Sequence, residues 1–375
     1  MTVAMLPNSR VGNSLGAGAP SCAPLRPRHV LAFTSRLHQR SARARTVEVR
    51  ADNALIINTK GGGHAFIGLY LAKQLLDAGH SVTILNDGSQ DKLEGKAPFS
   101  QYSSLSGANI IWGSPTDTSA YPSDSFDIVY DNNGKDLDTC KVAIDHFKDK
   151  VSHYAFVASA GAYKANKVEP ALTESDARKD SAGHVAVEKY LAEQGLPYTV
   201  FQPLYIYGPY AAKDYMGFFL DRLLRNRPVP IPAPGIQLVS LSHVEDVASL
   251  MAKVPGNKAA IGQHYNAASD RYISHDGVVH ALAEVAGVEA NIVHYDTKAV
   301  SLAKGEGIPF RTEHFIASVE KAKRELGWQP AHAFLDDVPS LVDAYKASGA
   351  LDKDIDFSAD DKILEAVGAK VPAMA

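Results

Sequence analysis

Cysteine is nearly absent: Cys22 and Cys140 are the only two in 375 residues. That excludes a disulfide framework and a cysteine-based zinc site, and it points to a reducing compartment. Long apolar runs are missing too. No window approaches the roughly 18 uninterrupted apolar residues of a spanning helix, and runs such as Ala54 to Ile57 are strand-sized, so no membrane partner is expected. Acid is scarce at one end only. Residues 1–50 carry eight Arg, no Lys and a single acid, Glu48, a formal +7. The remainder holds 30 basic and 41 acidic residues, a balance of -11. Such a body repels nucleic acid on average, so a polyanion partner requires a local basic patch.

What is present is regular. The Arg-rich, acid-poor leader lacks the apolar block of a secretory signal and reads as an organelle transit peptide over 1–50, the alternative being a disordered basic arm. From Ala54, ALIIN predicts a strand, TKGGGHAFIG a glycine loop and LYLAKQLLDAG a helix ended by Gly79. HSVTILND, NIIWG, DIVYDNNG, HYAFVASAG and YTVFQPLYIYG continue as strands, with helices around Cys140 to Phe147 and in AGHVAVEKYLAEQG. This alternation predicts an α/β fold with a parallel sheet covered on both faces, over 51–210. A smaller lobe is expected over 211–350, with helices near 216–226, 275–286, 313–326 and 335–347 and a strand pair from LVSLSHV and QHYNAAS. An acidic, loosely attached tail is expected over 351–375.

A glycine-led helix N-terminus after a buried strand suits a pyrophosphate, since its free N–H groups and dipole face the ligand. Gly62, Ala65 and Gly68 hold the G-x-x-G-x-x-G spacing, with Ala in the middle place. Asn86, followed by Asp87, stands where an acidic ribose ligand is expected at the end of the second strand.

Four further segments, FVASAGAY, QPLYIYGP, LSHVEDVA and KAKRELGWQP, occur in the order found in extended short-chain dehydrogenase/reductases, and residues 54–347 resemble that family. The resemblance implies an NAD(P)-binding Rossmann-type, doubly wound parallel sheet with a smaller C-terminal substrate-side lobe. It also implies a catalytic Ser, Tyr and Lys. Ser159 matches the serine, but counting back from Glu188 places Asp180 at the tyrosine and His184 at the lysine. An ionised Asp cannot act as the tyrosine acid, and His lacks a constant positive charge, so redox chemistry is expected to be lost and the dinucleotide loop vestigial. Tyr163 lacks a Lys at the required spacing.

NTKGGGHAFIGLYLAKQLL, SAGHVAVEKY and QPLYIYGP also resemble the chloroplast stem-loop-binding proteins of about 41 kDa, the a-type above all. That resemblance implies a stromal, ribosome- and polysome-associated RNA-binding protein that cleaves stem-loops in rRNA and mRNA with a divalent cation such as Mg²⁺. A paralogous b-type subunit or a second copy is implied as partner. The competing classes are an NAD(P)-dependent nucleotide-sugar epimerase or reductase and a non-catalytic ribosome assembly factor.

His64, Ser159, Asp180, His184 and His243 are expected near the crevice at the carboxyl ends of the strands. His64, Asp180 and His184 are the candidate acid–base set for attack of a 2'-hydroxyl on phosphorus. Asp131, at the end of the fourth strand, is the candidate metal ligand among Asp127, Asp131, Asp136 and Asp138. Arg222, Arg225 and Arg227, near Tyr205, Tyr207, Tyr210 and Tyr215, are the candidate RNA contacts, with Lys321, Lys323 and Arg324 as the second patch.

Overall fold

Seven parallel strands order the chain in the computed structural model, which describes residues 52–58, 64–132, 134–166, 168–303 and 305–371. They are β1 (Asn53–Asn58), β2 (Ser81–Asn86), β3 (Asn109–Trp112), β4 (Ile128–Asn132), β5 (His153–Val157), β6 (Tyr198–Pro203) and β7 (Gln263–Ala267). Across the sheet they run β7-β6-β5-β4-β1-β2-β3. The expected doubly wound sheet is therefore present. The expected leader and Gly62 lie outside the described residues.

Alternation within each strand assigns its two faces. In β1, Ala54 and Ile56 pack toward helices α1 (Ala65–Asp77) and, later in the chain, Val244–Met251, while Leu55 and Ile57 face the opposite layer. That layer is α2 (Leu137–Phe147) and α3 (Gly183–Glu193). Each boundary has a local cause. Gly79 takes φ +86 where the chain leaves α1, and Asp136 caps α2 in a reciprocal box with Thr139.

The lobe contains α4 (Gly217–Leu223), α6 (His275–Ala286) and α8 (Phe334–Ala347) around a second core that includes Phe219, Leu282 and Val338. Helix α5 (Val244–Met251) belongs to the sheet domain, and the short α7 (Glu320–Leu326) also packs there, through Ala322 and Leu326. The expected division at residue 210 thus cuts across the sheet: β7 and α5 return to it from within 211–350. The expected pairing of LVSLSHV with QHYNAAS is also corrected, since Leu238–Ser240 pairs with Tyr272–Ser274 while QHYNA becomes β7.

The tail needs the third correction. Residues Ser358–Ala366 form α9, whose Ile363 and Leu364 are fully buried, so this part of 351–375 is docked. Among the described residues no helix is long and apolar enough to cross a membrane.

Candidate functional site

Three asparagines close the carboxyl ends of β1, β2 and β4. Asn58 Nδ2 donates to Asn86 Oδ1 at 2.9 Å and Asn58 Oδ1 accepts from Asn132 Nδ2 at 3.0 Å, and the Tyr102 hydroxyl donates to Asn86 Oδ1 at 2.9 Å. All three amides are fully buried. Asn86 is therefore turned into this network and offers a ribose no carboxylate. Gly68 has a packing reason: a Cβ there would stand 2.3 Å from Asn58 Oδ1. Ala65 is itself wholly buried.

His64 precedes α1 and lies against β4, its Nδ1 3.2 Å from the Asn132 carbonyl, while Asn132 Nδ2 donates to the His64 carbonyl at 2.6 Å. With Ser159 and His184 it lines a cavity of about 230 Å³ that also includes Tyr205, Lys213 and Tyr215. Burial holds the His64 imidazole below its ordinary pKa, opposed by the Asn132 contact. Burial, reinforced by the neighbouring His64, brings His184 down to about 4. Two neutral imidazoles therefore share one crevice near neutral pH.

Asp180 does not join them. It lies in the turn before α3, its side chain is 78% exposed, and it pairs with Lys189 at 3.0 Å. Tyr163 cannot replace the missing tyrosine either, because it is fully buried with its hydroxyl between the amides of Gln202 and Asn266. Ser159 caps the following turn, accepting from Gly161 N–H at 3.0 Å. For an NAD(P) hydride carrier the fit fails at the tyrosine, lysine and ribose positions, and no step through that cofactor follows.

Asp131 is corrected as a metal ligand. Its carboxylate is fully buried beside Cys140 and accepts from the Tyr154 hydroxyl at 2.6 Å, which leaves no place for the waters Mg²⁺ retains. Among the described residues, only His243, His332 and Asp337 bring three ligand-type atoms together. The two imidazoles are stacked, centroids 3.6 Å apart and planes 19° apart, so one ion cannot lie in both ring planes. His243 Nδ1 also accepts from Glu245 N–H at 3.3 Å, capping α5. His243 thus lies in a second cavity, away from His64 and His184.

The expected RNA contacts are corrected as well. Arg222 is buried and makes two 2.7 Å bonds to Asp360. Arg225 donates to the carbonyls of Ala350, Leu351 and Lys353, and Arg227 pairs with Asp361. These arginines fasten the C-terminal segment. In the second patch, Lys323 is held by Asp270 and Glu320, and Arg324 by Glu325. Sequence reasoning missed the cations beside the crevice. Lys179 Nζ and an Arg311 guanidinium nitrogen converge on the Gly161 carbonyl at 3.2 and 3.0 Å, and Lys213 stands on the cavity wall. Arg311 reaches Gly161 from 150 positions away, a relation without a local signal.

The profile of the NAD dependent epimerase/dehydratase family matches residues 61–268. The chain belongs to that family. The chloroplast stem-loop binding protein of 41 kDa b of Arabidopsis thaliana is 35% identical over 318 residues, 81% of this chain and 82% of that protein. Among solved structures, the epimerase/dehydratase fold recurs in Pal from Bacillus thuringiensis, with TM-score 0.60, 21% identity, 78% of this chain and 99% of that one. It recurs in dTDP-glucose 4,6-dehydratase from Bacillus anthracis in complex with NAD, with TM-score 0.61, 16% identity, 80% of this chain and 98% of that one.

Proposed function

We propose that this chain is a chloroplast stem-loop RNA-binding protein of the stroma, with endoribonuclease activity on an epimerase/dehydratase fold that has given up hydride transfer. One observation carries the reading: the crevice brings together the imidazoles of His64 and His184, both kept neutral by burial, beside Ser159. The Arabidopsis relative's name supports stem-loop binding and the plastid. The a-type assignment, the plastid ribosome and polysome association and a b-type or self partner belong to the same proposal, as does the vestigial state of the dinucleotide loop.

The chemistry needs no electron acceptor. One imidazole takes the proton from a 2'-hydroxyl as its oxygen attacks phosphorus. The bond to the 5'-oxygen breaks, and the imidazolium returns the proton to that leaving oxygen. The products are a 2',3'-cyclic phosphate and a 5'-hydroxyl. Lys179, Arg311 and Lys213 supply the phosphate contacts that an acidic body requires locally.

The test is incubation of the full chain with an end-labelled plastid 3' stem-loop. Cleavage to those ends is expected, falling about 100-fold or more in His64→Ala or His184→Ala with binding retained. Lys179→Gln with Arg311→Gln should reduce the salt slope of binding by about two. Absence of stem-loop binding would overturn the reading, and undiminished cleavage in both histidine variants would overturn the catalytic assignment.

A further inference from the structure

The second cavity, about 460 Å³, lies between the turn at Tyr207–Gly208 and α8. Its size falls within the range of roughly 300–1,000 Å³ usual for small-molecule sites. Its walls are mainly apolar, with Met216, Leu220, Leu341 and Tyr345 among them, and Tyr210 at φ +65 is partly exposed. A few polar groups converge on it, as in a specific site.

Two groups on that wall, Glu245 and the Nε2 side of His332, face each other as a long ion pair. Asp337 is already engaged by the Tyr207 hydroxyl at 2.6 Å and by His332 Nδ1 at 3.2 Å. Glu245, 45% exposed, has His332 Nε2 beside it at 3.5 Å. The wall therefore offers the two acceptor oxygens of Glu245 next to a ring nitrogen of His332. Burial works to lower the His332 pKa, but Asp337 and the surrounding carboxylates prevail and hold it above the ordinary value, so that nitrogen carries a proton more readily than a free imidazole.

Base edges differ in how they meet such a wall. On its Watson–Crick edge guanine presents O6, an acceptor, next to N1–H and N2–H, two adjacent donors. Adenine and cytosine place an acceptor beside their amino group, and uracil places its single N–H between two acceptors. Only guanine matches one donor followed by two acceptors. We propose that this cavity is a guanine-nucleotide site, with Glu245 accepting from N1–H and N2–H, His332 donating to O6, Tyr210 offering a stacking face and Lys213 meeting the phosphate.

Lys213 suits that role. Its ammonium lies 4.7 Å above the Tyr215 ring, and among the described residues no carboxylate stands within ion-pair distance of it. It also lines the crevice of His64 and His184, so one cation borders both cavities. The guanine can belong to an RNA loop or to a free nucleotide, since both carry the same edge and phosphate.

The experiment is calorimetric titration of the full chain with GMP, AMP, CMP, UMP and IMP, followed by single-stranded RNA hexamers with and without guanine. GMP is expected to bind at least about tenfold more tightly than AMP, and IMP, which lacks the 2-amino group, to fall between them. Glu245→Gln should abolish the preference at an unchanged melting temperature, because an amide presents one acceptor and one donor. Lys213→Gln should weaken GMP several-fold and leave guanosine unaffected. Equal affinity for GMP and AMP, or an unaltered preference in Glu245→Gln, would overturn the site even if stem-loop RNA binds. A Glu245-dependent preference for GMP in a chain that binds no stem-loop would uphold it as a free-nucleotide site while the RNA reading fell.

Discussion

Asp360→Asn separates the two readings of Arg222, Arg225 and Arg227. Asp360 is 1% exposed and receives both Nε and a terminal nitrogen of Arg222 at 2.7 Å, with the Arg222 side chain only 8% exposed. Replacing the carboxylate by an amide leaves a buried guanidinium without its counter-charge. Breaking such a pair from one side costs about 3–5 kcal/mol, and the retained amide oxygen favours the lower end. For a folded unit of roughly 300 residues the unfolding entropy at the midpoint is about 0.6 kcal/mol per degree, so about 3 kcal/mol lowers the melting temperature by about 5 °C. The change also adds one unit of positive charge to the chain. If the arginines bound RNA and Asp360 merely masked them, stem-loop affinity would rise. The expected result is a lower melting temperature by calorimetry, with stem-loop affinity and its salt slope unchanged below the transition. A stable variant with tighter, more salt-sensitive RNA binding would refute the anchoring role.

Two other perturbations test the framework of the site. Gly68→Ala drives a methyl group against Asn58 Oδ1, which Asn132 holds in place, and should cost about 1–3 kcal/mol in thermal denaturation; an unchanged midpoint would show that Asn58 moves freely. Burial lowers His153 to about 4, and burial together with Arg178 lowers His264 to about 3, both below the unfolded value near 6.5. Between about pH 6.5 and 4 the unfolded chain therefore binds more protons, and stability present above pH 6.5 is lost as pH falls, by up to about 1.4 kcal/mol per pH unit for each histidine. His153→Gln should flatten that slope in melting curves, and a pH-independent wild-type midpoint would contradict it.

The sheet was legible because its signals are local. Short apolar runs, glycines at helix exits and the spacing from Gly62 to Gly68 each act within a dozen residues. The site was legible only in part. His64 and His184 were brought together, but the count back from Glu188 put the tyrosine place at Asp180, which precedes α3 and turns its side chain to solvent. Arg222 and Arg227 read as part of a patch because their partners Asp360 and Asp361 lie more than 130 positions away, and Arg225 because the carbonyls of Ala350, Leu351 and Lys353 lie at least 125 away. Asp131 looked like a strand-end ligand because nothing in the strand reveals that its carboxylate turns toward Tyr154.

Because β7 pairs with β6 only after the excursion through residues 204–262, synthesis of this protein passes through a vulnerable interval. Once Tyr198–Pro203 has left the ribosome, its outer backbone groups await Gln263–Ala267. At about 5–20 residues per second the 64 positions separating Pro203 from Ala267 take roughly 3–13 s. During that time the nascent chain presents an unpaired, apolar edge of the kind that templates aggregation. A fragment ending near residue 210 would keep that edge permanently, so the sheet domain and the lobe are one unit of synthesis as well as of structure.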